Sequence, residues 1–300
     1  MSEIEDSARV EIVEVDIRAW VESASSNPQL YRARQVTEVV LTSIGLAPSL
    51  SQTLVLKGGT LMALAFDSRR LTADIDFTAV TGPQGFEDSL VAELNTILPK
   101  TAIQLGYLDL DCRIQSVKKM PRPQNFEDHN FPALLVRIGS AKRGTGEERR
   151  LEAGQATQVV DVEISFRDQV YTSQTLHLTE AGVAVRAFTL HELIAEKLRA
   201  LLQQPIRNRN RRQDVYDIAF LLDAHPMTDE DRDVIHATLM EKCATRDIQP
   251  DAASLEDPEV VRRAEAEWQT LALEVSELPP FGPRFEIVAA LYRSLPWSVA

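Results

Sequence analysis

The chain has 300 residues, 44% of them hydrophobic, which is enough to bury one large core or two modest ones. With 45 Asp and Glu against 32 Lys and Arg, its formal net charge is −13; long-range electrostatics therefore oppose indiscriminate nucleic-acid binding, though a local basic patch remains open to it. Apolar runs fall short of the ~20 residues of a membrane helix, and the acidic start MSEIEDSARVEIVEVDI lacks the basic-then-apolar order of a secretion signal, so a globular cytoplasmic protein with no membrane partner is expected.

Cys112 and Cys243 are too few for a disulfide framework or a zinc site, and the 5 histidines show no ligand spacing. Met1–Asp6 are expected to fray. Asp16 to Ser25 suits a first helix and Gln29 to Ile44 a second, with Leu30, Val36, Val39, Val40 and Ile44 at helical spacing until Gly45 and Pro48 end it.

Leu54-Val55-Leu56 then reads as a strand, Gly58-Gly59 as a turn, and Thr60 with the apolar Leu61–Phe66 as a short helix. Glycines at a helix start let a phosphate approach the backbone N–H groups. In Ala73-Asp74-Ile75-Asp76-Phe77, apolar and acidic residues alternate, so a strand puts Asp74 and Asp76 side by side on one face. Two adjacent carboxylates are most readily tolerated around a hard divalent cation, whose ligands are oxygens. The competing reading is a strand with a solvated acidic face.

Phe86 to Leu98 predicts an amphipathic helix closed by Pro99. Gly106–Val117 and Ala133–Ile138 predict strands of one mixed sheet. Asp109 and Asp111 form a second D-x-D without a glycine turn, read as an exposed strand face. The polar, charged and glycine-bearing Ala141–Gly154 predicts a mobile hairpin or loop. Val159–Phe166 is a strand with Asp161, Glu163 and Ser165 on one face.

Residues 183–188 predict another strand. Thr189-Leu190-His191-Glu192 reads as a capping box that starts a helix to about Leu202. Lys197 lies inside that helix's apolar stripe, so it must snorkel or aim its ammonium into a cleft where anions compensate the desolvation. His191 and Glu196 fall outside the stripe and are expected to be solvated. Residues 197–212 concentrate 6 Lys and Arg with no acid, ending in the loop Arg207–Arg212, whose four arginines would suit an RNA backbone. Asp214 opens a further helix, and Asp229–Lys242, Pro258–Glu277 and Arg284–Leu295 predict three more. The expected division is a core with N-terminal helices over 1–188 and a helical domain carrying Lys197 and Asp214 over 189–300.

Lys57-Gly58-Gly59-Thr60, followed by Arg70-Leu71-Thr72-Ala73-Asp74-Ile75-Asp76-Phe77, resembles the KGGT … R-x-S-x-D-[IL]-D-F signature of the AbiEii/AbiGii-type (MenT-like) nucleotidyltransferase toxins of the polymerase-beta-like superfamily. Thr72 keeps the hydroxyl of the usual serine. Glu196-Lys197-Leu198-Arg199-Ala200-Leu201 matches the family's E-K-[IL]-x-A-L. Asp214-Val215-Tyr216-Asp217-Ile218 matches R-D-x-[YW]-D-[IL], with Gln213 in place of the arginine and Arg212 one place away.

The resemblance implies an α+β polymerase-beta-like nucleotidyltransferase core with a mixed sheet and a C-terminal helical domain. It implies a metal-dependent enzyme that uses Mg²⁺ or Mn²⁺ and an NTP. Asp74, Asp76 and Glu163 would be metal ligands, with Asp161 as the alternative third carboxylate. Gly58, Gly59, Thr60 and Thr72 would seat the nucleotide together with Lys197. Asp74, Asp76, Lys197 and Asp214 would be catalytic, Asp214 either polarising the nucleophile or orienting Lys197. The expected activity is that of a monomeric type IV toxin, transferring NMP to an RNA acceptor (the tRNA 3′ end) and restrained by an antitoxin encoded nearby. A protein or small-molecule acceptor, or a nucleotide-binding module without turnover, are the alternatives.

Overall fold

Residues 11–121 and 126–297 are described by a computed structural model of the chain; the expectation for Met1–Asp6 lies outside them. The chain starts with β1 (Ile12–Val15), α1 (Ile17–Glu22), α2 (Pro28–Leu46), α3 (Pro48–Thr53) and β2 (Leu54–Lys57). The Asp16 carboxylate accepts from the Ala19 N–H and the Asn27 side chain from the Leu30 N–H, capping α1 and α2. Pro28 sits in the first turn of α2, where a missing N–H costs nothing.

Next come α4 (Gly58–Ala65), β3 (Asp74–Ala79), α5 (Phe86–Gln104), β4 (Leu110–Met120), β5 (Ala133–Lys142), α6 (Gly146–Glu152), β6 (Gln158–Phe166), β7 (Ser173–Leu178) and β8 (Val183–Phe188). The rest is helical: α7 (Leu190–Leu202), α8 (Gln204–Arg207), α9 (Arg212–Ala224), α10 (Asp229–Ala244), α11 (Pro258–Glu265) and α12 (Phe281–Arg293). Among the described residues no helix is long and apolar enough to cross a membrane.

These elements divide into two compact units, the first Met1–Leu56, Ala73–Arg167 and Ser173–Ala187, the second Lys57–Thr72, Asp168–Thr172 and Phe188–Ala300. The described strands form one 8-stranded mixed sheet in the order β1-β7-β8-β2-β3-β6-β5-β4. β3 and β6 pair in parallel near its middle, while β5 runs antiparallel to both β6 and β4. Ile75, Phe77, Val162 and Ile164 are buried on one face of the β3–β6 pair. In the same unit α2 is buried on every side from Val36 to Ile44, and α5 buries Leu90, Leu94 and Leu98 along one stripe. In the second unit α7 packs on α9 and α10, and α9 on α12.

Several expectations are corrected. Pro99 does not close α5, which runs on to Gln104; Thr101 and Ala102 are buried on the same side as Leu98, and that packing outweighs the hydrogen bond a proline removes. Residues 141–154 are neither a hairpin nor a loop throughout: β5 extends to Lys142, and Thr145 caps α6 by accepting from the Glu147 N–H. Pro258–Glu277 is interrupted after Glu265, with Glu267 in the left-handed region (φ 62°) before a 3-10 turn over Trp268–Leu273. Asp111 is fully buried rather than on an exposed face, held by Arg113 at 2.9 Å and Arg143 at 3.4 Å. β1 and β7, not anticipated from the sequence, pair in parallel.

The capping box at α7 forms by half. Thr189 accepts from the Glu192 N–H, but the Glu192 carboxylate accepts instead from the Tyr171 and Thr172 N–H groups and pairs with Lys242 at 2.7 Å. Glu196 is likewise not solvated: it pairs with Arg199 and lies 3.5 Å from Lys242.

Candidate functional site

In the first unit, the parallel register of β3 and β6 sets Asp74 opposite Asp161, Asp76 opposite Glu163 and Thr78 opposite Ser165. Paired residues of adjacent strands project to the same side, so four acids share one face. Further along that face the polarity turns inward: Thr78 is fully buried, its hydroxyl 3.2 Å from that of Ser165, which donates to the Phe77 carbonyl. Arg137 on β5, in register with Asp161, reaches its carboxylate at 3.2 Å. Glu163 is exposed. Asp74 itself is exposed at the start of β3; partial desolvation, and after it the charges of Asp76 and Asp161, push its carboxyl above the ordinary aspartate range.

The second unit holds the glycine turn. Gly58, at φ 70°, takes a conformation that costs an L side chain energy, and it opens α4. Gly59 is needed for space, because a Cβ there would stand 2.6 Å from Thr72 Oγ1 and 2.9 Å from Thr72 Cβ, with Arg70 Nη2 at 3.3 Å. The segment before β3 therefore lies directly against the turn. Arg70 grips Asp217 on α9 with Nε at 2.8 Å and Nη2 at 3.0 Å, the two-pronged geometry that suits guanidinium and carboxylate, and its Nη1 donates to Glu274 at 2.9 Å. Glu274 also accepts from Gln213 at 3.3 Å, and its backbone carbonyl from the Leu71 N–H at 2.7 Å.

Lys197 joins this set. The residue is 7% exposed, and its ammonium donates to Asp214 Oδ1 at 3.0 Å and Asp217 Oδ2 at 2.8 Å. Burial alone would drive it toward the neutral amine, but Asp217 and Asp214 more than reverse that and hold it above the ordinary lysine range. Burial would likewise raise Asp217, and Lys197 and Arg70 instead keep it below the usual carboxylate range. Gly59, Thr72, Arg70, Asp217, Lys197 and Asp214 thus form one connected arrangement. Gly58 and Thr60 flank Gly59 in it, Thr60 being buried.

Asp74, Asp76, Asp161 and Glu163 belong to the first unit, and Gly58, Gly59, Thr60, Thr72, Lys197 and Asp214 to the second. Sequence reasoning did not single out Arg70, Asp217 or Glu274. Arg70 and Asp217 did carry a signal: each is a fixed letter of a matched motif. Glu274 carried none, since it lies far along the chain in a stretch without a motif.

Among the described residues no three His, Cys, Asp or Glu are gathered closely enough, as the side chains stand, to hold a metal ion. The donor chemistry of the β3–β6 face nevertheless fits a hard divalent cation. Its ligands would all be carboxylate oxygens, and Asp74 already bears the like-charge penalty that a cation relieves.

A family model described as "Nucleotidyl transferase AbiEii toxin, Type IV TA system" matches residues 40–290. No curated protein matches the chain. Among solved structures, the fold is similar to that of JHP933 from Helicobacter pylori, with a TM-score of 0.52 at 15% identity over 90% of this chain and 92% of that one. It is also similar to a second H. pylori protein, assigned provisionally to the nucleotidyltransferases, with a TM-score of 0.50 at 12% identity over 88% and 93%. At such identities the likeness is one of fold, a mixed α/β nucleotidyltransferase-like architecture.

Proposed function

The chain belongs to the AbiEii family of nucleotidyl transferase toxins of type IV toxin–antitoxin systems, and from that premise we propose that it transfers NMP from an NTP to an RNA acceptor, the 3′ end of tRNA, releasing pyrophosphate and inhibiting growth or translation. The observation that carries this reading is the carboxylate face of β3 and β6, where two acids from each strand stand in register. Asp74, Asp76 and Glu163, with Asp161 as the alternative third ligand, would hold Mg²⁺ or Mn²⁺. When bound, such a cation offsets the charge of the reacting phosphate and of the leaving pyrophosphate.

In this reading the other residues bind and orient. The N–H groups at Gly58 and Gly59 would receive phosphate oxygens at the start of α4, a place that favours anions. Thr60 and Thr72 would add hydroxyl donors. Lys197 would supply a fixed positive charge, positioned before substrate arrives. Asp214, already on the Lys197 ammonium, would orient it or take the proton of the attacking hydroxyl.

The exposed Arg207 at the end of α8, with Arg209 and Arg211 between α8 and α9, supports an RNA acceptor, since phosphate contacts position a nucleic acid on a protein. The net charge of −13 favours a second reading, in which the acceptor is a protein or a small molecule. The family implies an antitoxin partner, and the reading makes the protein a cytoplasmic monomer with that antitoxin encoded nearby.

Incubation with each α-labelled NTP and Mg²⁺, with total tRNA or without RNA, tests it. Label on tRNA that disappears in Asp74→Ala and Lys197→Ala is expected. Label on protein or a small molecule selects the second reading, and undiminished transfer by Asp74→Ala removes the mechanism.

A further inference from the structure

Lys197 has two carboxylate partners on α9, and they differ in how firmly each is held. Asp217 has no solvent exposure, and both of its oxygens are engaged by cations: Oδ2 by Lys197 Nζ and Arg70 Nη2, Oδ1 by Arg70 Nε. Its removal would strand two buried cations at once, the costly way to break a buried ion pair. Asp214, almost one helical turn earlier, is bonded to Lys197 through Oδ1 alone. Its Oδ2 is buried with no hydrogen-bond partner, and Arg211, from the exposed loop, approaches it only to 4.0 Å. A buried acceptor left unsatisfied carries a desolvation cost that movement of the side chain would relieve.

Two carboxylates on one ammonium offset much of its attraction for a phosphate. If one carboxylate withdraws, a phosphate oxygen can take its place without the ammonium losing a partner. The charged groups facing Lys197 are Asp214 and Asp217 from α9 and Arg70 from the segment before β3. Of these, Asp214 alone has an unbonded oxygen.

We infer that Asp217 is the fixed positioning residue of the second unit, anchoring both Lys197 and Arg70, and that Asp214 is the exchangeable partner whose place on the Lys197 ammonium a phosphate oxygen takes when nucleotide binds. The identity of the anion rests on the nucleotidyl-transfer reading; the assignment of Asp217 as anchor does not.

Two measurements test it. The first needs no ligand: the Lys197 side-chain ¹³Cε resonance, assigned with Lys197→Arg, is titrated in the wild type, Asp214→Asn and Asp217→Asn. The Lys197 midpoint is expected to fall further in Asp217→Asn than in Asp214→Asn, by about one unit. An equal fall, or a larger one in Asp214→Asn, overturns the anchor. If Asp217→Asn does not fold, the double variant Arg70→Gln/Asp217→Asn, which strands fewer charges, takes its place.

The second measurement is the affinity for non-hydrolysable α,β-imido NTPs with Mg²⁺. Asp214→Asn should bind about tenfold tighter than the wild type and Asp217→Asn about tenfold weaker, the equivalent of one pKa unit in each direction. A purely structural role for both residues would weaken binding in both variants, and that result overturns the exchange. A wild type that binds none of the NTPs sinks the nucleotidyl-transfer reading and the exchange with it, while the lysine titration still decides the anchor.

Discussion

Asp74 on β3 stands opposite Asp161 on β6 in a parallel register that places like charges side by side. Partial desolvation first, then Asp76 and Asp161, raise the carboxyl of the exposed Asp74 above its ordinary value. A carboxyl raised in the folded state favours folding at low pH, and that contribution is lost as pH rises through the raised value. In metal-free buffer Asp74→Asn should therefore melt above the wild type at pH 7, with the gap closing below the ordinary aspartate pKa of about 3.9. Melting temperatures from pH 3 to 8 check this; a variant that melts lower at neutral pH removes the like-charge argument.

A cation between those acids reverses the balance. Mg²⁺ should raise the melting temperature of the wild type and leave the double variant Asp74→Asn/Asp76→Asn unmoved. Chelation with EDTA should abolish nucleotidyl transfer, and added Mg²⁺ or Mn²⁺ should restore it. Transfer that survives exhaustive chelation would rule out the assigned metal role.

Arg137 already engages Asp161 at 3.2 Å, whereas Glu163 is exposed opposite Asp76. Glu163→Gln should thus cost transfer activity about 100-fold or more, the scale of losing one preorganised charge at a reacting group, and Asp161→Asn about tenfold or less. Steady-state rates of the two variants settle the third carboxylate, and the opposite ranking assigns it to Asp161.

Gly59→Ala puts a methyl 2.6 Å from Thr72 Oγ1 and 2.9 Å from its Cβ. Thr72 is β-branched, so it cannot swing a flexible end aside, and the segment behind it is tied to Asp217 and Glu274 through Arg70. Destabilisation of about 1–3 kcal/mol, the usual cost of overpacking, is expected in urea unfolding, together with loss of NTP binding. A variant of wild-type stability would mean the segment yields freely.

Lys242, 4% exposed, holds Glu192 at 2.7 Å and Glu196 at 3.5 Å. Burial would raise Glu196, but Arg199, Lys242 and Lys57 hold it well below the usual glutamate range, so its contribution is present above that range and lost as pH falls. Lys242→Met should cost about 3–5 kcal/mol at pH 7, because carboxylates stay buried with one cation fewer. The shift in urea midpoint at pH 7 and pH 4 measures it, the loss being smaller at the acid end.

Much of the local structure was legible from the chain alone. The alternation from Ala73 to Phe77 specifies a strand with Asp74 and Asp76 on one side, and the stripe of α7 puts Lys197 among apolar residues, because both periods are written in neighbouring positions. Pro99 and the glycine-bearing stretch at 141–154 misled for the converse reason. There a local breaker signal was overridden by burial of Thr101 and Ala102, and by a Thr145 cap.

What the sequence by itself determined was therefore the chemistry each segment could offer: acids in pairs, a glycine turn, an ammonium needing anions. Only the tertiary structure decided which anions those are. Asp217 is 20 positions from Lys197 and 147 from Arg70, and Glu274 is 204 from Arg70, separations at which no periodicity operates. Ion pairs of this kind are selected by burial, since a charge taken out of water must find an opposite charge wherever the packing of helices brings one within reach.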